Sequence, residues 1–112
     1  MLKGMLVAFG LVLLCQPCFA AEWSGYRTVK TFGCHKGDGT CYVDIGGLAV
    51  TGASGCTSNS VRWDAQKDTN GKSWLALVML AKSLNKKIGF YVNGCYASQP
   101  AFPTFAYGFI EE

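Results

Sequence analysis

The sequence predicts a small, mainly β domain with one amphipathic helix, and three observations carry that prediction. Residues 70–93 pass from helical to strand periodicity at Lys87 without a break. Short alternating runs lie before and after them, separated by Gly- and Asn-containing turns. Four cysteines, Cys34, Cys41, Cys56 and Cys95, are spread over those runs. Their even number suits two disulfides in an exported domain.

The N-terminal segment reads as a signal peptide. Lys3 precedes an apolar core from Met5 to Leu14, and Cys18 and Ala20 suit cleavage after Ala20. That core is shorter than the roughly 20 residues a membrane span needs. A periplasmic or secreted location is expected, with residues 21–112 forming one domain and no membrane span in the mature chain. Without Lys3 there are nine basic and seven acidic side chains. The basic ones are scattered, so no stripe for nucleic acid is expected.

Taken in order, Tyr26 to Phe32 reads as a first strand, and Gly33 to Gly39 as a turn with Asp38-Gly39 its strongest signal. Thr40 to Ile45 returns with Cys41, Val43 and Ile45 on one face. Gly46-Gly47 breaks it, and Leu48 to Thr51 reads as its continuation. Gly52 to Ser60 reads as loop, and Val61 to Ala65 as a third strand. In the helix, Trp74, Leu77, Ala81 and Leu84 form the apolar stripe, widened by Val78 and Leu80. Asp68, Thr69 or Asn70 suits the N-cap, Asn85 the left-handed C-terminal position, and Lys82, Lys86 and Lys87 the negative helix end. Leu75 and Met79 fall opposite the stripe and are candidates for a subunit contact. Ile88, Phe90 and Val92 then face one side of a fourth strand, and Gly89, Tyr91 and Asn93 the other. A final strand places Phe105, Tyr107 and Phe109 on one face and Ala106, Gly108 and Ile110 on the other.

The resulting order, β-β-β-α-β-β, is that of an OB-like five-stranded barrel with one helix. Of the three pairings that four cysteines allow, Cys34–Cys41 with Cys56–Cys95 is favoured. The first closes a hairpin tip. The second ties the segment before the helix to the strand after it.

Catalysis finds little support. His35 is the only histidine and sits at the predicted turn, and nothing places a nucleophile beside it. Asp38, Asp44, Asp64 and Asp68 read as solvated-face residues rather than a carboxylate pair. No metal-ligand spacing, phosphate loop or cofactor motif is present. Binding is the better reading. Aromatic rings stack on the apolar faces of sugars while polar side chains satisfy hydroxyls. The candidates are Trp63, Tyr96 and Phe102, beside Ser98 and Gln99.

Several stretches also resemble a known family. They are Glu22-Trp23-Ser24-Gly25, Thr40-Cys41-Tyr42-Val43-Asp44-Ile45, Ala53-Ser54-Gly55-Cys56 with Ser60-Val61-Arg62-Trp63, and the helix followed by Lys87-Ile88-Gly89-Phe90-Tyr91-Val92. Together they resemble B subunits of the subtilase-cytotoxin and typhoid-toxin type, and a group of small exported bacterial proteins. The resemblance implies an OB-fold B subunit, a homopentamer with central helices, a toxin A subunit as partner and binding to cell-surface glycans. It carries no glycan-contacting residue over, because Gly25 leads almost directly into the first strand. It also implies a rival disulfide map, Cys41–Cys56 with Cys34–Cys95.

Overall fold

The computed structural model describes residues 22–52 and 55–112. The expected signal peptide, residues 1–20, lies outside the described residues. The described chain is mainly β, with one helix and three antiparallel sheets. Its elements are β1 (Glu22–Trp23), β2 (Val29–Cys34), β3 (Thr40–Ile45), β4 (Val50–Thr51), β5 (Thr57–Ser58), β6 (Ser60–Asp64), α1 (Gly71–Leu84), β7 (Ile88–Cys95) and β8 (Pro103–Ile110).

One sheet runs β1-β7-β8 and a second β2-β3-β6, while β4 and β5 form a small third ladder. No sheet closes on itself, so the ladders alone do not make a barrel. The two larger sheets meet where β6 lies against β8, and again where Arg27 bridges to Ile88.

The first expected strand, Tyr26 to Phe32, begins only at Val29, and an unexpected short strand, β1, precedes it. Gly25, at φ 80°, turns the chain between β1 and β2, so Trp23 joins Tyr91 on one sheet while β2 pairs with β3 on the other. Gly46-Gly47 ends β3, with Gly47 at φ 89°. Val50–Thr51 does not continue β3; it folds back onto Thr57–Ser58, inside the segment expected to be all loop. Across that ladder the Thr51 and Thr57 hydroxyls bond at 2.8 Å.

The helix starts at Gly71, but no side chain caps it. Asn70 sits in the left-handed region at φ 64°. That geometry takes its side chain away from the first helical amides, which a β-region cap would reach. Asp68 instead accepts the Asp64 amide on its carboxylate, folding the connection between β6 and α1. The C-terminal end follows the sequence: Asn85 is left-handed at φ 56°, and the Lys86 amide reaches back to the Ala81 carbonyl at 2.9 Å. Trp74, Val78 and Ala81 are buried along α1, and Leu77 packs partly against the core. Leu80 and Leu84, expected inside, are 51% and 53% exposed. Leu75, expected outside, packs against the core.

The core is built from inward positions on β3, β6, α1 and β7: Val43, Ile45, Val61, Trp63, Val78, Ile88 and Phe90. Trp63 donates its indole N–H to the Gly71 carbonyl at 2.9 Å, fixing the helix start to β6. Two disulfides close the domain, Cys34–Cys41 across the β2–β3 tip and Cys56–Cys95 between the segment before β5 and the end of β7.

Candidate functional site

The outer face of the β1–β7–β8 sheet is aromatic. β7 places Gly89 and Tyr91 outward, because Ile88, Phe90 and Val92 are buried on the other side. Trp23 on β1 lies beside Tyr91, with ring centroids 4.9 Å apart. Tyr91 stacks on Tyr107 of β8, also at 4.9 Å. Trp23 stacks on Phe109 at 5.5 Å and meets Tyr26 edge-on at 5.5 Å. The five rings form one continuous surface. Trp23 is 41% and Tyr107 57% exposed.

This surface depends on an irregularity that alternation does not reveal. Tyr91 pairs with Tyr107, but the next residue, Val92, pairs with Phe105. Ala106 is the extra residue of a bulge, and it reverses the faces on either side. Phe105 therefore turns inward and stacks on Trp74 at 4.0 Å, while Tyr107 and Phe109 turn outward. The expectation of one face shared by Phe105, Tyr107 and Phe109 is thus corrected.

Tyr107 also borders a cleft between β8 and the start of α1. Thr69, Asn70 and Ser73 line one wall, Phe105 to Gly108 the other, and Trp74 and Leu77 also line it. The buried indole N–H of Trp74 has no acceptor among the described residues. Rings, small polar side chains and an unpartnered donor thus meet at one end of the aromatic face.

The residues expected from sequence divide. Trp63 is fully buried and Tyr96 nearly so, its hydroxyl bonded to the Thr40 hydroxyl at 2.7 Å. Both belong to the interior, where a large ring with a satisfied polar tip is at home. Phe102 and Gln99 do come together, around Arg62. The Arg62 guanidinium lies 3.7 Å from the Phe102 ring centroid and donates to Gln99 Oε1 at 2.6 Å. Ser98 is exposed beside them. Of the two helix positions named for a subunit contact, Met79 is 47% exposed and Leu75 is packed inward. Leu80 and Leu84 are exposed as well, on a different side of the helix from Met79.

Sequence reasoning missed Trp23, Tyr26, Tyr91 and Arg62. A signal for the first three was present: Gly89 sits among large residues in a strand, which marks a close approach over the sheet.

At the β2–β3 tip, the Thr40 amide donates to Asp38 Oδ1 at 3.0 Å, which with the nearby His35 holds the Asp38 carboxyl below its ordinary range. His35 Nδ1 lies 3.3 Å from the same oxygen. This local turn accounts for the lone histidine.

No family model, no curated protein and no solved structure matches the chain.

Proposed function

We propose that this chain is an exported, non-enzymatic binding domain that holds a glycan on the aromatic face of the β1–β7–β8 sheet. One observation carries the reading. Five partly exposed rings cover one sheet face, and three belong to Tyr26, Tyr91 and Tyr107, whose hydroxyls bond to no other described side chain or carbonyl. An apolar face ringed with open hydroxyls matches a sugar better than it matches a greasy protein surface. The adjoining Thr69, Asn70 and Ser73 wall adds further groups for sugar hydroxyls.

The strand neighbours support an OB-like barrel. The sequence β2-β3-β6, then β8-β7-β1, with seams at β6–β8 and Arg27–Ile88, is the order of five OB strands whose first is split into β1 and β2. The helix lies between the third and fourth of those strands, as that arrangement requires. The resemblance to toxin B subunits adds a homopentamer and a toxin A subunit as partner. Met79, Leu80 and Leu84 put exposed apolar side chains on two sides of the helix for packing between copies. The same exposed side chains also suit the second reading, a monomeric periplasmic domain that grips a protein partner.

A glycan array probed with the oxidised protein and with a Trp23→Ala/Tyr107→Ala variant tests the leading reading. Selective binding that the variant loses is expected. Uniform silence at high protein concentration overturns it.

A further inference from the structure

The two arginines of the folded domain are held in opposite ways. Arg27 is held by backbone carbonyls, which accept three of its five N–H groups. It donates to those of Ser24, Gly46 and Leu48 at 2.7–2.8 Å, stitching β1 to the β3–β4 turn. Arg62 is held by neutral side chains only. Its Nε donates to Ser60 Oγ at 3.1 Å and one Nη1 hydrogen to Gln99 Oε1 at 2.6 Å. Its Cζ lies 3.7 Å from the Phe102 ring centroid and 5.4 Å from that of Tyr42.

Among the described residues, no carboxylate lies within ion-pair distance of Arg62. The nearest acids along the strands are engaged elsewhere. Asp44 accepts the Thr31 hydroxyl, and Asp64 accepts the Gln66 and Lys67 amides. A half-buried cation without a counter-charge is costly to maintain. Stacking on rings leaves the edge of a guanidinium open, and its donors all point along that edge. Two of five N–H groups are used here, so the rest form a preset fork for a planar or tetrahedral oxyanion. Tyr42 is itself laid down over Gly33, where a side chain would meet its hydroxyl at 2.7 Å.

We infer that Arg62, fixed by Phe102, Tyr42 and Gln99, is the centre of an oxyanion-binding site for the carboxylate or sulfate group of an acidic saccharide. The site is separate from the aromatic sheet face, and only the saccharide half of the inference rests on the glycan reading.

The test is an NMR titration of the oxidised domain at constant ionic strength with glucuronate, glucose and inorganic sulfate. Saturable shifts of the Arg62 Nε–H and Gln99 signals with glucuronate, with sulfate or with both, and none with glucose, are expected. Sulfate alone would name a sulfate ester as the source, and glucuronate alone a uronate. Arg62→Gln should weaken the binding about tenfold or more, as loss of a charge-assisted hydrogen bond does. Ser98→Glu, which puts a carboxylate on the exposed residue next to Gln99, should weaken it as well. No saturable shift with either anion overturns the inference, as does wild-type anion affinity in both variants. Sulfate binding that persists while a glycan array stays silent would leave the oxyanion site standing and remove the glycan reading.

Discussion

The indole of Trp23 lies directly over Gly89, so close that any side chain at position 89 would collide with it. Gly89 is the reason a tryptophan on a two-residue edge strand can lie against the sheet and bring Tyr26, Tyr91 and Phe109 into one surface. Gly89→Val should lift the indole and cost about 1–3 kcal/mol of stability through overcrowding. Glycan binding should fall with it. Urea denaturation and a glycan array on the same variant check both halves.

Phe105 and Tyr107 sit two apart yet have opposite fates, because the Ala106 bulge lies between them. Phe105→Ala should destabilise the fold by about 3 kcal/mol, since it empties the space against Trp74. Tyr107→Ala should cost no more than about 1 kcal/mol, the worth of its cross-strand stack on Tyr91, while weakening glycan binding. Equal losses of stability would place both rings in the interior and contradict the bulge.

The two disulfides close loops of very different length, with sequence separations of 7 and 39. On chain-entropy grounds the shorter is worth about 2.5 kcal/mol and the longer about 4 kcal/mol. Replacing Cys56 and Cys95 together by alanine should therefore lower the urea midpoint more than replacing Cys34 and Cys41. The reverse order would show that the β2–β3 tip matters more than the tie between the β5 segment and β7.

Much of this fold was legible in the sequence because most elements obey a single period. Thr40–Ile45 and Ile88–Val92 alternate cleanly and are buried on the face the pattern assigns. The helix end was readable from Asn85, whose left-handed conformation few other residues tolerate. The failures occur where one residue breaks a period or where distant elements decide. Ala106 looks like any strand residue, yet it inverts β8. Leu80 and Leu84 fit the helical stripe, but β2 and β8 cover only the side carrying Trp74, Val78 and Ala81. The candidate site suffered most, because its rings come from β1, β7 and β8, which meet only in the folded sheet. Trp63 drew attention as a large aromatic near polar loops, but its neighbours Val61 and Val43 already marked its side of the strand as core.

Met79, Leu80 and Leu84 are the exposed large apolar side chains of α1. If copies of the chain pack through their helices, Met79→Glu should shift the native mass of the oxidised domain from oligomer to monomer at micromolar concentration. Light scattering after size exclusion reads this directly. A wild-type monomer would remove the helix-packed ring and leave the aromatic face as a single-copy binding surface.

The central claim is that the aromatic sheet face binds sugar, and Trp23 reports on it almost alone. Trp63 and Trp74 are 0% and 4% exposed, so the Trp23 indole is the one that meets a ligand on the open sheet face, while Trp74 only lines the adjoining cleft. The decisive measurement is therefore the three indole N–H signals in a ¹H–¹⁵N spectrum as pools of neutral and acidic oligosaccharides are added. A saturable shift of the Trp23 signal, with the Trp63 signal unmoved, is the result this account predicts. An unmoved Trp23 signal with every pool at millimolar concentration would contradict it.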